Sequence, residues 1–351
     1  QSTHPRKAQL DKEEREYLED IVTEMRDRVE ANVRYQLEDE YDLDEKPDDD
    51  AVLSEEQEDL VEAIELEAVD GNDWEDGYEE YITGVGYTIV NRLAALRCME
   101  VRNFINNEIT TFRDDGLTPA ADRLVTEEFM LEEEAVLEAY RNACDELAEE
   151  IEILFDRSTA YSLIDPDDDT FEDICRMFDK VADEVWRADD VLGWVYEYYN
   201  RNKLAKIRKK ARNRGLDIED IAPANQFYTP HWVVRMLADN SLGKYYQEST
   251  GGVQNLIEKQ ASLSSSERIN RPASEAEDLE ELCTYMVSDG DASTTTKTSF
   301  EHPSEIQVID PACGSGHFLL YCFDILERIW WIECPKKDKG KIPELILKHN
   351  L

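Results

Sequence analysis

The stretch Glu305–Tyr321, EIQVIDPACGSGHFLLY, decides how the C-terminal part of this 351-residue chain is read. Ile306, Val308 and Ile309 make a short apolar run of the kind that forms a buried strand. Asp310 ends the run, Pro311 to Gly316 make a glycine-containing turn, and His317 to Arg328 reads as a helix. Strand, tight turn and helix in that order are the first unit of a nucleotide-type α/β fold. In such a fold a ligand sits at the carboxyl end of the strand, beside the helix N-terminus. Gly314 and Gly316 lack a Cβ, so the backbone there can turn sharply and approach a ligand.

The pattern is neither G-x-G-x-x-G nor a turn followed by G-K-[ST], so it meets neither the dinucleotide fingerprint nor the P-loop. A carboxylate at the strand end disfavours a phosphate and suits a ligand with a positive amino group, such as S-adenosylmethionine. A purely structural strand–helix turn is the alternative. Upstream lies Asn225–Asn240, NQFYTPHWVVRMLADN. Thr229 is expected to cap a helix that starts at Pro230, with Val233, Val234 and Leu237 on its apolar face. An ordinary capped helix start would read the same way.

The rest of the chain is acidic: 82 Asp+Glu stand against 38 Lys+Arg, for a formal charge of -44. Hydrophobic residues still make up 41%, with 16 Tyr, 10 Phe and 6 Trp, which is enough for a core and excludes wholesale disorder. Two readings of the acid compete: an acidic partner-binding or nucleic-acid-mimicking protein, and a halophile-like protein adapted to a salty cytoplasm. The second is favoured, because the acid lies over amphipathic, folding segments. At about 1 M salt the Debye length is roughly 3 Å, so the net charge does not exclude DNA as a partner.

No secretion signal or membrane span is visible, and the longest apolar stretch, 318–332, is broken by Asp324, Glu327 and Arg328. A cytoplasmic location is expected. Seven cysteines without C-x-x-C fit reduced thiols, with no metal site.

Residues 1–200 read as a mainly α-helical accessory domain. Helices are expected over 11–40, 54–69, Tyr87–Ile105, 125–156 (one long helix or a pair, with Phe129 and Leu131 on its apolar face), 170–186 and 188–214, with a turn and cap at Asp165–Asp169. Residues 201–224 form a basic helix and linker. Within it Arg201–Arg214, RNKLAKIRKKARNR, has eight basic residues and no acid. Lys206, Lys209, Lys210 and Arg212 could track a phosphate backbone, or the helix could dock on the protein's own acid. Residues 225–351 hold both quoted motifs, separated by a Ser/Thr-rich stretch at 243–303. That stretch reads as a surface insertion with a short helix near 273–287.

DPACGSG followed by an apolar helix resembles motif I of class I adenine-N6 DNA methyltransferases, and QFYTPHWVV resembles their motif X. Three further segments resemble the PglX-type methyltransferases of BREX phage-exclusion systems: NRLAALRCMEV at 91–101, VLGWVYEYYN at 191–200 and IAPANQFYTPHWVVRMLADNSL at 221–242.

The resemblance implies a helical domain followed by the beginning of a class I, Rossmann-like α/β methyltransferase domain, truncated. It implies S-adenosylmethionine as cofactor, held by Phe227, Tyr228, Thr229, Pro230, Asp310, Ala312, Cys313, Gly314 and Gly316, with His317 facing solvent at the helix start. Double-stranded DNA is the implied substrate. A C-terminal methyltransferase half or other defence-system subunits are implied partners. The family's Asn/Asp-Pro-Pro-Tyr/Phe motif grips the flipped adenine, and no Pro-Pro pair occurs in this sequence. The chain is therefore expected to be an N-terminal piece of a longer enzyme, or one gene of a split one. Alone it should transfer no methyl group. A non-catalytic cofactor- or DNA-binding subunit is the alternative.

Overall fold

The computed structural model describes residues 8–48, 50–68, 73–215, 221, 229–251, 262–264, 272–287, 300–313 and 316–351. Its helices are α1 (Lys12–Tyr35), α2 (Glu55–Glu67), α3 (Trp74–Val101), α4 (Pro119–Glu127), α5 (Glu132–Ala148), α6 (Glu152–Phe155), α7 (Asp168–Asp179), α8 (Asp183–Trp186), α9 (Val191–Tyr199), α10 (Arg201–Arg214), α11 (His231–Ala238), α12 (Lys244–Thr250), α13 (Leu279–Leu282), α14 (His317–Glu333) and α15 (Ile342–His349). Two compact units divide the chain. One comprises Asp11–Arg187 and Trp194–Lys209. The other comprises Ala188–Gly193 and Lys210–Leu351, with residues 8–10.

In the first unit, local acid chemistry sets the helix starts. The Asp11 carboxylate accepts the Glu14 N–H at 2.9 Å while the Glu14 carboxylate accepts the Asp11 N–H at 2.9 Å, a reciprocal cap on α1. Ser54 and Gln57 do the same for α2. Glu13, Glu14, Glu55, Glu56 and Glu58 fill the first turns, where the helix dipole favours negative charge.

α3 packs against α1 and α2, and α1 packs against α7. α3 begins at Trp74 and ends at Val101, where the sequence pattern suggested Tyr87 to Ile105. Gly77, Gly84 and Gly86 disguise its first half, because glycine lowers helix propensity. They stand where neighbours come close: a Cβ on Gly77 would lie 2.7 Å from the Ile64 carbonyl oxygen of α2.

The helical pattern expected over 125–156 is broken into three. Thr118 caps α4 early, its hydroxyl accepting the Ala121 N–H at 3.2 Å. Phe129, at φ 60°, then breaks the helix. In consequence Phe129 is 87% exposed and Leu131 is also exposed, rather than lying on a buried face. The expected helices at 170–186 and 188–214 are likewise divided, into α7 and α8 and into α9 and α10. The cap foreseen at 165–169 is present: Asp167 accepts the Thr170 N–H at 2.7 Å.

The second unit lacks the expected strand. Among the described residues there is no β-strand. Residues 306–310 carry no regular secondary structure: a ladder needs a neighbour, and no strand lies beside them among the described residues. Ile306 is buried and Val308 half-buried, while Ile309 is 88% exposed instead of lying in a sheet core.

A side chain does the work of a neighbouring strand. Asn350 is buried, and its amide Nδ2 donates to the Pro303 and Ile306 carbonyls at 2.7 and 2.6 Å. Its Oδ1 accepts the Trp330 indole N–H at 3.0 Å, and its backbone oxygen accepts the Val308 N–H at 2.7 Å.

The 243–303 stretch is not a surface insertion throughout. Ala273, Ala276, Leu279, Leu282, Cys283 and Met286 enter the core beside Ile325, Leu326 and Ile329 of α14. The buried Arg328 guanidinium ties this segment down, donating to the Ala273 carbonyl at 2.8 Å and the Ala276 carbonyl at 3.1 Å. The SSS run beyond Ser264 and the TTT run lie outside the described residues. Among the described residues no helix is long and apolar enough to cross a membrane.

Two outcomes test this core. Asn350→Ala leaves two carbonyls and an indole N–H without their partner and should cost about 3 kcal/mol in urea unfolding followed by circular dichroism. The second concerns buried carboxyls. Burial pushes Asp324 up to about 7, with Asp189 and Glu327 adding to the rise and Arg328 opposing it. Burial pushes Asp239 up to about 6. Both pKa values are raised on folding, so their contribution is full below about pH 4 and is lost as pH climbs to about 7. Asp324→Asn should therefore raise the melting temperature at pH 8 more than at pH 5, as read by calorimetry.

Candidate functional site

The two motif helices meet in the second unit. α11 starts at His231, one residue later than expected. Pro230 takes the cap position with extended backbone, and no side chain caps the helix, so Thr229 does not play that part. The Val233 and Val234 N–H groups donate to the Pro230 carbonyl at 2.9 and 3.2 Å. The face α11 buries is Val234, Arg235 and Ala238, followed by Asp239, while Leu237 is exposed. The expected stripe through Val233 and Leu237 is thus rotated toward two charged residues, because those charges find partners inside.

On the other side, the Asp310 carboxylate folds back to accept the Ala312 N–H at 3.0 Å. Ala312 and Cys313 are exposed. Gly316 donates its N–H to the Cys313 carbonyl at 2.8 Å and sits at φ 82°, a left-handed backbone that favours glycine. A Cβ built there meets nothing within 4 Å, so the turn opens onto free space. α14 follows at once, its Leu320 N–H donating to the Gly316 carbonyl at 2.8 Å.

The starts of α11 and α14 face each other. The His231 ring meets the Tyr321 ring edge-on, 5.9 Å between centres. Burial lowers the His231 pKa to about 4, and the nearby Arg235 and His317 add to the drop. His317 is itself half-buried, and burial lowers its pKa too, so it does not face solvent as expected. Deeper in, the Tyr321 hydroxyl donates to Asp239 Oδ1 at 2.7 Å. Thr229 and Pro230, both half-buried, lead into one helix start, and Asp310, Ala312, Cys313 and Gly316 lead into the other. Phe227, Tyr228 and Gly314 lie outside the described residues.

Those residues suit a methyl donor of the expected kind. A partly exposed carboxylate matches an ammonium group, and a glycine turn with open space lets a ligand approach the backbone. Sequence reasoning missed His231, Arg235, Asp239 and Tyr321. Their signal was faint: Arg235 and Asp239 are spaced i, i+4, which on most helices is a solvated pair.

In the basic helix α10, Leu204 and Ile207 are buried while Lys209 and Arg212 are exposed. The side chains of Lys206 and Lys210 lie outside the description. Arg201 pairs with Glu19.

No family model matches the chain. It is similar to the adenine-specific methyltransferase BrxX of Escherichia coli O9:H4 (strain HS), 28% identical over 305 residues that cover 79% of this chain and 23% of that protein. It is also similar to the adenine-specific methyltransferase PglX of Lacticaseibacillus casei (strain Zhang), 25% identical over 317 residues, 80% of this chain and 24% of that one. The chain spans about a quarter of the length of each. These similarities agree with the resemblance carried by the two motifs, and the chain is a distant relative of the PglX-type adenine-specific methyltransferases.

Proposed function

We propose that this chain contributes the methyl-donor side of an enzyme that moves a methyl group from S-adenosylmethionine to N6 of adenine in double-stranded DNA. The setting is BREX-type phage exclusion or restriction–modification in the cytoplasm. The observation that carries this reading is the meeting of the α11 and α14 starts, which brings Thr229 and Pro230 and residues 310–313 toward one end of a helix pair.

Each group has a physical task. The Asp310 carboxylate accepts the ammonium of the donor's methionine part. The exposed backbone at Ala312 and Cys313 and the open turn at Gly316 let that part lie against the main chain. Thr229 and Pro230 close the opposite side, and by resemblance Phe227 and Tyr228 extend it. Bound there, the cofactor supplies a methyl group on a cationic sulfur. Positioning and exclusion of water then account for most of the acceleration.

The adenine must leave the base stack to be reached. The residues that grip it are those of the Pro-Pro motif that this sequence does not contain. A second reading is a non-catalytic donor- and DNA-binding subunit of a split methyltransferase or defence complex. Lys209 and Arg212 on the exposed side of α10 are the proposed phosphate contacts, effective where salt screens the acidic surface.

Isothermal titration of S-adenosylmethionine into the 351-residue chain should show binding. Asp310→Ala should weaken it about tenfold or more, the cost of removing one charge-assisted contact. Radiolabelled methyl transfer to adenine-containing DNA by the chain alone should stay at background, and should appear when a polypeptide carrying an NPPY-type segment is added. Wild-type chain that is folded yet shows no donor binding would sink the proposal.

A further inference from the structure

The interface between α11 and α14 is apolar at Val234, Ala238 and Ile325, yet it also buries a carboxylate and a guanidinium. Asp239 is 0% exposed. Its Oδ1 accepts the Tyr321 hydroxyl at 2.7 Å and its Oδ2 accepts the Tyr285 backbone N–H at 2.8 Å. Arg235, 1% exposed and one turn earlier, donates to the Leu282 carbonyl at 2.9 Å and the Thr284 hydroxyl at 3.1 Å. Its guanidinium lies 5.7 Å from the centre of the Tyr321 ring.

Apolar residues of similar volume would stabilise such an interface at least as well, so a buried ionic cluster is weak evidence for stability. What it does impose is direction. An apolar contact tolerates a helix sliding or turning by a fraction of a turn. A carboxylate held at both oxygens does not.

The Tyr321 ring transmits that direction to the site. Its hydroxyl end is fixed by Asp239, and its ring meets His231, the first residue of α11, edge-on. Tyr321 itself stands one turn after His317 at the start of α14. We propose that Asp239 is a positioning residue for the methyl donor: acting through Tyr321, it sets the separation between residues 229–231 and residues 310–313. The inference rests on the methyl-donor reading of the site. It goes beyond it by naming a group that touches no ligand and yet governs the fit.

The charged and titratable groups that face Asp239 are Arg235 from its own helix stretch, Tyr321 and Cys322 from α14, and Cys283 from the segment after α13, where the Tyr285 backbone N–H also donates. Oδ2 faces an obligate donor, the Tyr285 N–H, and Oδ1 is the nearer of two acceptors for the Tyr321 hydroxyl, the other being the Leu282 carbonyl at 3.2 Å, so the carboxylate form accepts both bonds. A protonated or amide side chain turns one acceptor into a donor and sets it against the Tyr321 hydroxyl or the Tyr285 N–H.

The test uses the 351-residue chain with Asp239→Asn and, as the gentler change, Tyr321→Phe, which removes only the hydroxyl. The first readout needs no ligand: histidine-selective nitrogen NMR follows the titration of His231. Both variants should keep helical circular dichroism and should move the His231 pKa up from about 4 toward its ordinary 6.5 as the ring contact loosens. The second readout is calorimetric titration of S-adenosylmethionine, in which both should bind about tenfold more weakly.

Wild-type affinity should fall as pH drops through about 6, while Asp239→Asn gives a flat profile, a difference that general weakening of the fold would not produce. If Asp239→Asn does not fold, Tyr321→Phe carries the first two readouts. An unmoved His231 in the folded variants, or unchanged donor affinity, overturns the positioning role and leaves the donor reading intact. A wild-type chain that binds no donor overturns the donor reading and this inference with it, whatever His231 does.

Discussion

The carboxylate of Asp239 cannot be buried unless donors meet both its oxygens, and that requirement organises the second unit. Tyr321 must come from α14, and the Tyr285 N–H must come from the segment after α13. Arg235 must sit near enough to offset the charge, and it needs carbonyl and hydroxyl oxygens of its own, which Leu282 and Thr284 supply. Three stretches distant in sequence are thereby tied to one side chain. The burial of Leu279, Leu282 and Cys283, otherwise unexpected for a Ser/Thr-rich connection, follows from the same ties.

The same accounting explains the stretch at 306–310. Backbone N–H and C=O groups that leave water need partners, and here the C-terminal end of α15 supplies them. Asn350 accepts from Trp330 and donates to two carbonyls, so one amide substitutes for part of a strand ladder. Beyond Val308 that substitution ends, and Ile309 stands bare. At an exposed β-branched residue just before the candidate site, added structure would gain apolar burial.

What could be read from the sequence follows from how local each feature is. Caps are local: Asp11 with Glu14, Ser54 with Gln57 and Asp167 lie within four residues of the groups they satisfy, so helix starts there were close to expectation. α14 was legible as an apolar run following a glycine-containing turn. Three features were not local. The early half of α3 depends on Gly77 and Gly86 meeting α2 and Tyr199, contacts that no propensity anticipates. The break at Phe129 depends on a left-handed backbone at a residue that rarely adopts one. The buried face of α11 depends on partners at 282–285 and 321, so a reading of periodicity alone placed Leu237 inside, where the structure buries Arg235 and Asp239 instead. The two motifs themselves were legible because glycine, proline and the acid at Asp310 mark backbone geometry. The residues that hold those motifs together looked like ordinary surface polar groups.

The acid of this chain divides by the same logic. Part of it is spent at helix starts, where Asp11, Asp73, Asp167 and Asp278 accept backbone N–H groups. A smaller part is buried against arginine or backbone donors, as with Glu100, whose carboxylate takes the Thr110 N–H at 2.7 Å, and Asp239. The remainder coats the surface and opposes any phosphate chain at a distance. On the proposed reading, contact with DNA comes from short-range pairing by clustered bases. The run of eight bases without acid, Arg201–Arg214, keeps Lys209 and Arg212 outward because Leu204 and Ile207 fix its inner face. On the proposed reading, a mostly acidic surface carrying such a helix discriminates more sharply between a docked and a loosely held duplex than a uniformly basic one does.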